Sequence, residues 1–121
     1  MTDLRATLAK RVDASLDRLI AVTQRLVAVA SPNPPSDTEA IAAVAEELLL
    51  EIPGIEVEVV EPAPQVKSLI GRIKGGRPGR RLIFNGHLDT FPILEQLPWT
   101  VPPLGGVLKR SEEHTSELQS Q

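Results

Sequence analysis

The residues best suited to chemistry lie in one stretch: Leu82-Ile83-Phe84-Asn85-Gly86-His87-Leu88-Asp89-Thr90-Phe91-Pro92. A short apolar run breaks at Asn85-Gly86 and delivers a histidine, then an aspartate two residues on. Functional groups in open α/β sheets collect at the carboxyl ends of strands. Neutral imidazole is a common ligand for divalent metals. A ligating histidine usually gives its other ring N–H to a carboxylate, which fixes the tautomer. His87 as a metal ligand and Asp89 as its orienter follow from these types at this spacing. The same residues also allow a structural histidine, with Asp89 bonded to the turn backbone. One histidine is not a site, because catalytic zinc takes three protein ligands and a water. The chain has two histidines, and the other is His114 near the C-terminus.

Other elements must position this segment. Leu8, Val12, Leu16, Leu19, Ile20, Gln24 and Val27 recur at helical spacing and predict a helix from about Leu4 to Val29, with a break at Asp13 or Ser15. Pro32-Asn33-Pro34-Pro35 cannot continue it. Ser36-Asp37-Thr38-Glu39 reads as a capping box, with Ser36 as N-cap, opening a second helix to about Glu51. Its apolar face carries Ile41, Val44, Ala45, Leu48 and Leu49, and Pro53-Gly54 stops it. Ile55 to Val60 alternates apolar and acidic residues, as a strand with one wet face does, and Pro62 and Pro64 end it. Ser68 to Lys74 predicts a second strand, and the basic, glycine-rich run to Arg81 a solvated turn. Leu82-Ile83-Phe84 reads as a strand buried on both faces. Phe91 to Gly106 is rich in proline and glycine and predicts an irregular loop, with Val107-Leu108-Lys109 starting another strand. The order of elements places the chain in the α/β or α+β class.

Composition narrows the function classes. The 121 residues amount to one domain at most. Aromatics make up 2%, so the core must be aliphatic, and eleven prolines force many turns. A net charge of -3 offers no basic excess for phosphates, so nucleic acid is not an expected partner. No cysteine is present, which excludes a disulfide scaffold, a thiol nucleophile and a cysteine-ligated zinc site. No apolar run approaches the ~20 residues a membrane helix needs, so no membrane partner is expected. Ala28-Val29-Ala30 mimics a signal-peptidase site, but Thr23-Gln24-Arg25 interrupts the stretch before it and Asp13 and Asp17 lie upstream. The expectation is a cytoplasmic protein.

The last twelve residues differ in kind. Arg110 to Gln121 contains one apolar residue, Leu118, and interrupts a strand that has just begun. The string RSEEHTSELQS resembles the in-frame translation of a common short-read sequencing adapter. Residues 110–121 are therefore expected to be a non-native tail, and Glu112, Glu113 and His114 are given no role.

Asn85-Gly86-His87-Leu88-Asp89-Thr90, then Pro92, then Trp99-Thr100-x-Pro102-Pro103-x-Gly105, resembles the M20 family of metallohydrolases. That family includes acetylornithine and succinyl-diaminopimelate deacylases, aminoacylases and several exopeptidases. The likeness extends upstream through a helix ending at Ser31-x-Asn33-Pro34-Pro35, a second helix and the alternating strand. It covers nearly all of residues 13–109.

The resemblance implies a fold and a chemistry. Residues 1–109 would be the N-terminal part of a three-layer αβα zinc-exopeptidase-like catalytic domain, incomplete in this chain. His87 matches the family's metal-ligating histidine. Asp89 matches the carboxylate that orients it and counts among the family's catalytic residues. Trp99 is assigned packing. The implied reaction is hydrolysis of the amide of an N-acyl amino acid at a two-zinc site, with cobalt or manganese as possible replacements. The complete enzyme would be a homodimer. A short-peptide substrate, as for an exopeptidase or dipeptidase, is the nearest alternative, and a non-catalytic α/β module is the more distant one. The family's later motifs, a Gly-Arg-Gly segment with a bridging aspartate and a Glu-Glu pair with the general base, do not occur here. As given, the chain is expected to be inactive.

Overall fold

A computed structural model describes residues 3–109. The proposed tail, 110–121, lies outside the described residues.

The N-terminal helical pattern resolves into α1 (Leu4–Ala14) and α2 (Leu16–Val27). Asp3 caps α1, its carboxylate accepting from the Arg5 amide at 3.0 Å. The break falls at Ser15, whose hydroxyl donates to the Arg11 carbonyl at 2.7 Å. Such back-bonding competes with the helical ladder and marks a bend. The third helix, α3 (Glu39–Leu50), packs on α2. Arg18–Glu51 and Arg25–Glu47 ion pairs join the two across their exposed edges. Pairs so exposed add little stability. Ile41 and Ala42 of α3 are the buried apolar residues among those described.

The capping-box expectation is corrected. Thr38, not Ser36, occupies the N-cap position, and Ser36 sits at a positive φ of 71°. The Glu39 amide is satisfied by Asp37 Oδ1 at 3.0 Å. The Glu39 carboxylate is drawn away from the helix start to Lys67 Nζ at 3.1 Å. That contact raises the Lys67 pKa above its ordinary value, first through the hydrogen bond and then through the charge on Glu39.

After Gly54, in the left-handed region at φ 77°, the chain enters β1 (Glu56–Ala63), which pairs antiparallel with β2 (Val66–Arg72). Glu58 faces Ile70 and Val59 faces Leu69, and an irregularity between Val60 and Ala63 lets β1 run through Pro62. The sheet of the described residues has these two strands alone. α3 lies close against β2. A Cβ added at Gly71 would meet Ile55 Cδ1 at 3.0 Å, too near for an unshifted side chain.

Buried Thr38 ties helix to hairpin. Its hydroxyl donates to the Lys67 carbonyl at 2.9 Å and accepts from the Lys67 amide at 2.7 Å, while its own amide donates to the Gln65 carbonyl. Valine at position 38 keeps the shape and leaves the Lys67 amide and carbonyl without that partner. An unmade buried hydrogen bond costs roughly 1–3 kcal/mol, so the Lys67 amide of Thr38→Val should exchange its proton about tenfold faster or more. Amide exchange followed by NMR measures this.

Two further expectations are corrected. Leu82, Ile83 and Phe84 form no strand and pair with none, and they are 77%, 76% and 89% exposed rather than buried. Nothing among the described residues lies beside them to supply a ladder. Val107-Leu108-Lys109 likewise forms no strand. The observed architecture is a small mixed α/β arrangement of three helices and one antiparallel hairpin. Among the described residues, no helix is long and apolar enough to cross a membrane.

Candidate functional site

His87 and Asp89 are held by a clasp between distant parts of the chain. Ser31 to Asn33, just after α2, lies parallel to Leu88 to Thr90 and forms a single bridge with it. The Thr90 amide donates to the Ser31 carbonyl at 2.9 Å, and the Asn33 amide donates to the Thr90 carbonyl at 2.9 Å. Buried Ser31 adds its hydroxyl, which donates to the Leu88 carbonyl at 2.7 Å. The prolines on either side of Asn33 keep this stretch out of a helix and leave its backbone free for the bridge.

Within the clasp, His87 Nδ1 lies 2.7 Å from the Asp89 carbonyl oxygen and 3.0 Å from Asp89 Oδ1. A carbonyl oxygen only accepts, so Nδ1 carries the proton. In the neutral ring that leaves the lone pair on Nε2, which makes no hydrogen bond among the described residues. The His87 side chain is 83% exposed, and that of Asp89 is 34% exposed. The other Asp89 oxygen, Oδ2, accepts from Asn33 Nδ2 at 3.0 Å. Both carboxylate oxygens are thus engaged by protein donors, which suits an orienting role.

These contacts shift both groups. The Asp89 carbonyl, then its carboxylate, raises the His87 pKa above the ordinary 6.5. The Asn33 amide, then His87, lowers the Asp89 pKa below the ordinary 3.8. The stabilisation due to His87 is complete below its unfolded pKa and is lost as pH rises through its higher folded value. That due to Asp89 is present above its unfolded pKa and is lost as pH falls through its lower folded value. The charged pair is therefore strongest between the two folded values. In an NMR titration the His87 ring should show a midpoint above 6.5, moving back toward it in Asp89→Ala.

A groove of about 990 Å³ opens beside the histidine. Leu26 of α2, Leu48 and Leu49 of α3 and Leu69 of β2 form its apolar wall, while His87 and Asp89 stand at its polar rim. No group of three or more potential metal ligands occurs among the described residues. The structure thus brings His87 and Asp89 together, as the spacing predicts, and adds Asn33, which spacing alone does not reveal. Asn33 stands 56 residues from Asp89, and no local pattern links the two. Trp99, assigned to packing, is half exposed, and its ring N–H donates to the Leu94 carbonyl at 2.9 Å, closing a local loop.

No family model matches the chain, and no solved structure matches it significantly. Two curated bacterial proteins are similar to it, both named N-formyl-4-amino-5-aminomethyl-2-methylpyrimidine deformylase. The one from Halalkalibacterium halodurans is 32% identical over 98 residues, covering 79% of this chain and 23% of the relative. The one from Bacillus subtilis is 27% identical over 106 residues, covering 85% of this chain and 25% of the relative. Stretches of that extent necessarily include Asn33, His87 and Asp89. The chain spans about a quarter of the length of the curated relatives it matches.

Proposed function

We propose that this chain is the N-terminal part of an M20-type, metal-dependent hydrolase that cleaves the amide of a small N-acyl or N-formyl compound. One observation carries the reading: the similarity to two relatives named for deformylation, over a stretch that contains the whole His87–Asp89 clasp. Removing a formyl group from an amine nitrogen is amide hydrolysis. This favours a compact acyl group on a small amine, with the N-acyl amino acid as a second substrate class.

The donor set fits one metal ligand. With Nδ1 engaged by acceptors, His87 would present Nε2 to zinc or a similar divalent ion. A metal held there supplies Lewis acidity toward the scissile carbonyl and a water of lowered pKa. Asp89 keeps the ring from turning and favours the tautomer that can bind. The apolar wall of the groove provides surface for the rest of the substrate. Other ligands and the general base would come from sequence beyond this chain, and residues 110–121 would have no part in the enzyme.

The test begins with the gene. Reads spanning the codon for Lys109 should continue in frame into further acidic and histidine-containing segments. The protein from that complete frame should bind zinc and release formate or a carboxylate from N-formyl and N-acyl amines. A frame that encodes Arg110 to Gln121 and then stops, or a complete protein without zinc and without amidase activity, rejects the proposal.

A further inference from the structure

We infer that Asn33 and Ser36 are positioning residues that act on His87 through Asp89. The hydrogen bonds form one continuous chain in which donors from both sides converge on the Asp89 carboxylate. The Ser36 hydroxyl donates to Asn33 Oδ1 at 2.6 Å. Asn33 Nδ2 donates to Asp89 Oδ2 at 3.0 Å. Asp89 Oδ1 accepts from His87 Nδ1 at 3.0 Å.

Direction matters here. The Asn33 amide oxygen is occupied by Ser36, so its NH₂ group is the end turned to Asp89. A carboxylate anchored through Oδ2 cannot rotate away from the ring, so Oδ1 stays in place as an acceptor. The line starts in the loop between α2 and α3 and ends on the imidazole, so it couples that loop to the tautomer of His87. Ser36 holds its place with a backbone in the left-handed region, φ 71°, and its amide donates to the Pro32 carbonyl at 3.1 Å. The inference rests on the reading of His87 as a ligand only for its use, since the tautomer can be read with no metal present.

The test uses protein expressed from the complete open reading frame, stripped of metal by a chelator and labelled with ¹⁵N in histidine. Loss of the His87 signal in His87→Gln assigns the resonance. At a pH well above the ring's titration, the wild-type ring should carry its proton on Nδ1. Asn33→Asp keeps the shape, removes the donor and sets a second carboxylate against Asp89. Its ratio of the Nδ1–H to the Nε2–H form should fall by up to about tenfold, the Asp89 carbonyl at 2.7 Å from Nδ1 keeping the rest of the preference. Ser36→Ala removes only the outer link and should lower the ratio by roughly two- to threefold, which provides a second reading if Asn33→Asp misfolds. Zinc affinity, measured by equilibrium dialysis, should fall with the ratio. A wild-type ring protonated on Nε2, or ratios unchanged in both variants, overturns the inference. Shifted ratios in a wild-type protein that binds no zinc support the relay and reject the metal reading.

Discussion

His87→Ala will lower kcat/KM of the complete enzyme proposed above by roughly 10³-fold or more, because a metal's several kcal/mol of transition-state stabilisation depends on its ligands. Zinc content should fall from its wild-type value in the same variant. Asp89→Ala removes no ligand. It frees the ring and unbalances the tautomer, so its effect should be smaller, about 10–100-fold in affinity or activity. The order of the two variants carries the argument. Turnover of N-formyl substrates and metal analysis of the purified proteins measure both. If His87→Ala keeps wild-type zinc and turnover, His87 is structural.

The second large effect concerns residues 1–109 in isolation, which should show no sharp, cooperative thermal transition. Fully burying a large apolar side chain contributes about 1.5–3 kcal/mol, whereas ordering each residue costs about 1–2 kcal/mol. Among the described residues only Ile41 and Ala42 are buried apolar groups. Leu82, Ile83 and Phe84 instead present apolar side chains and an unpaired backbone to water. Such an edge invites pairing with other chains. Circular dichroism on heating should decline gradually, and a hydrophobic dye should bind well below any midpoint. A steep transition with a flat baseline contradicts this.

Local pattern made much of the molecule legible. The break near Ser15 and the end of α3 before Gly54 follow from spacing and from side chains that compete with the helix. The alternation from Ile55 to Val60 indicates β1, although the strand extends to Ala63 because its irregularity accommodates Pro62. His87 and Asp89 meet because the chain bends at Leu88 and turns the ring back onto the aspartate two residues on. The failures arise where distant partners decide. Ser36 has the composition of an N-cap, yet Asn33 takes its hydroxyl and Lys67 takes Glu39. Leu82 to Phe84 has the composition of a buried strand, but burial requires neighbours on both sides. Asn33 looks like a loop residue beside prolines, and its donor finds Asp89 only through the tertiary bridge.

That bridge also bears on the order of assembly. The Ser31 hydroxyl waits for a carbonyl 57 residues further along the chain, while the β1–β2 hairpin closes over a few residues. Closing so long a loop costs more entropy than closing the hairpin, and nonlocal contacts form late. The segments that form α2, α3 and the hairpin are all made before Thr90, and their local contacts do not depend on it. The His87 imidazole is therefore placed later than these local elements form. Variants that weaken the Ser31–Thr90 contact should delay acquisition of the site more than formation of the helices.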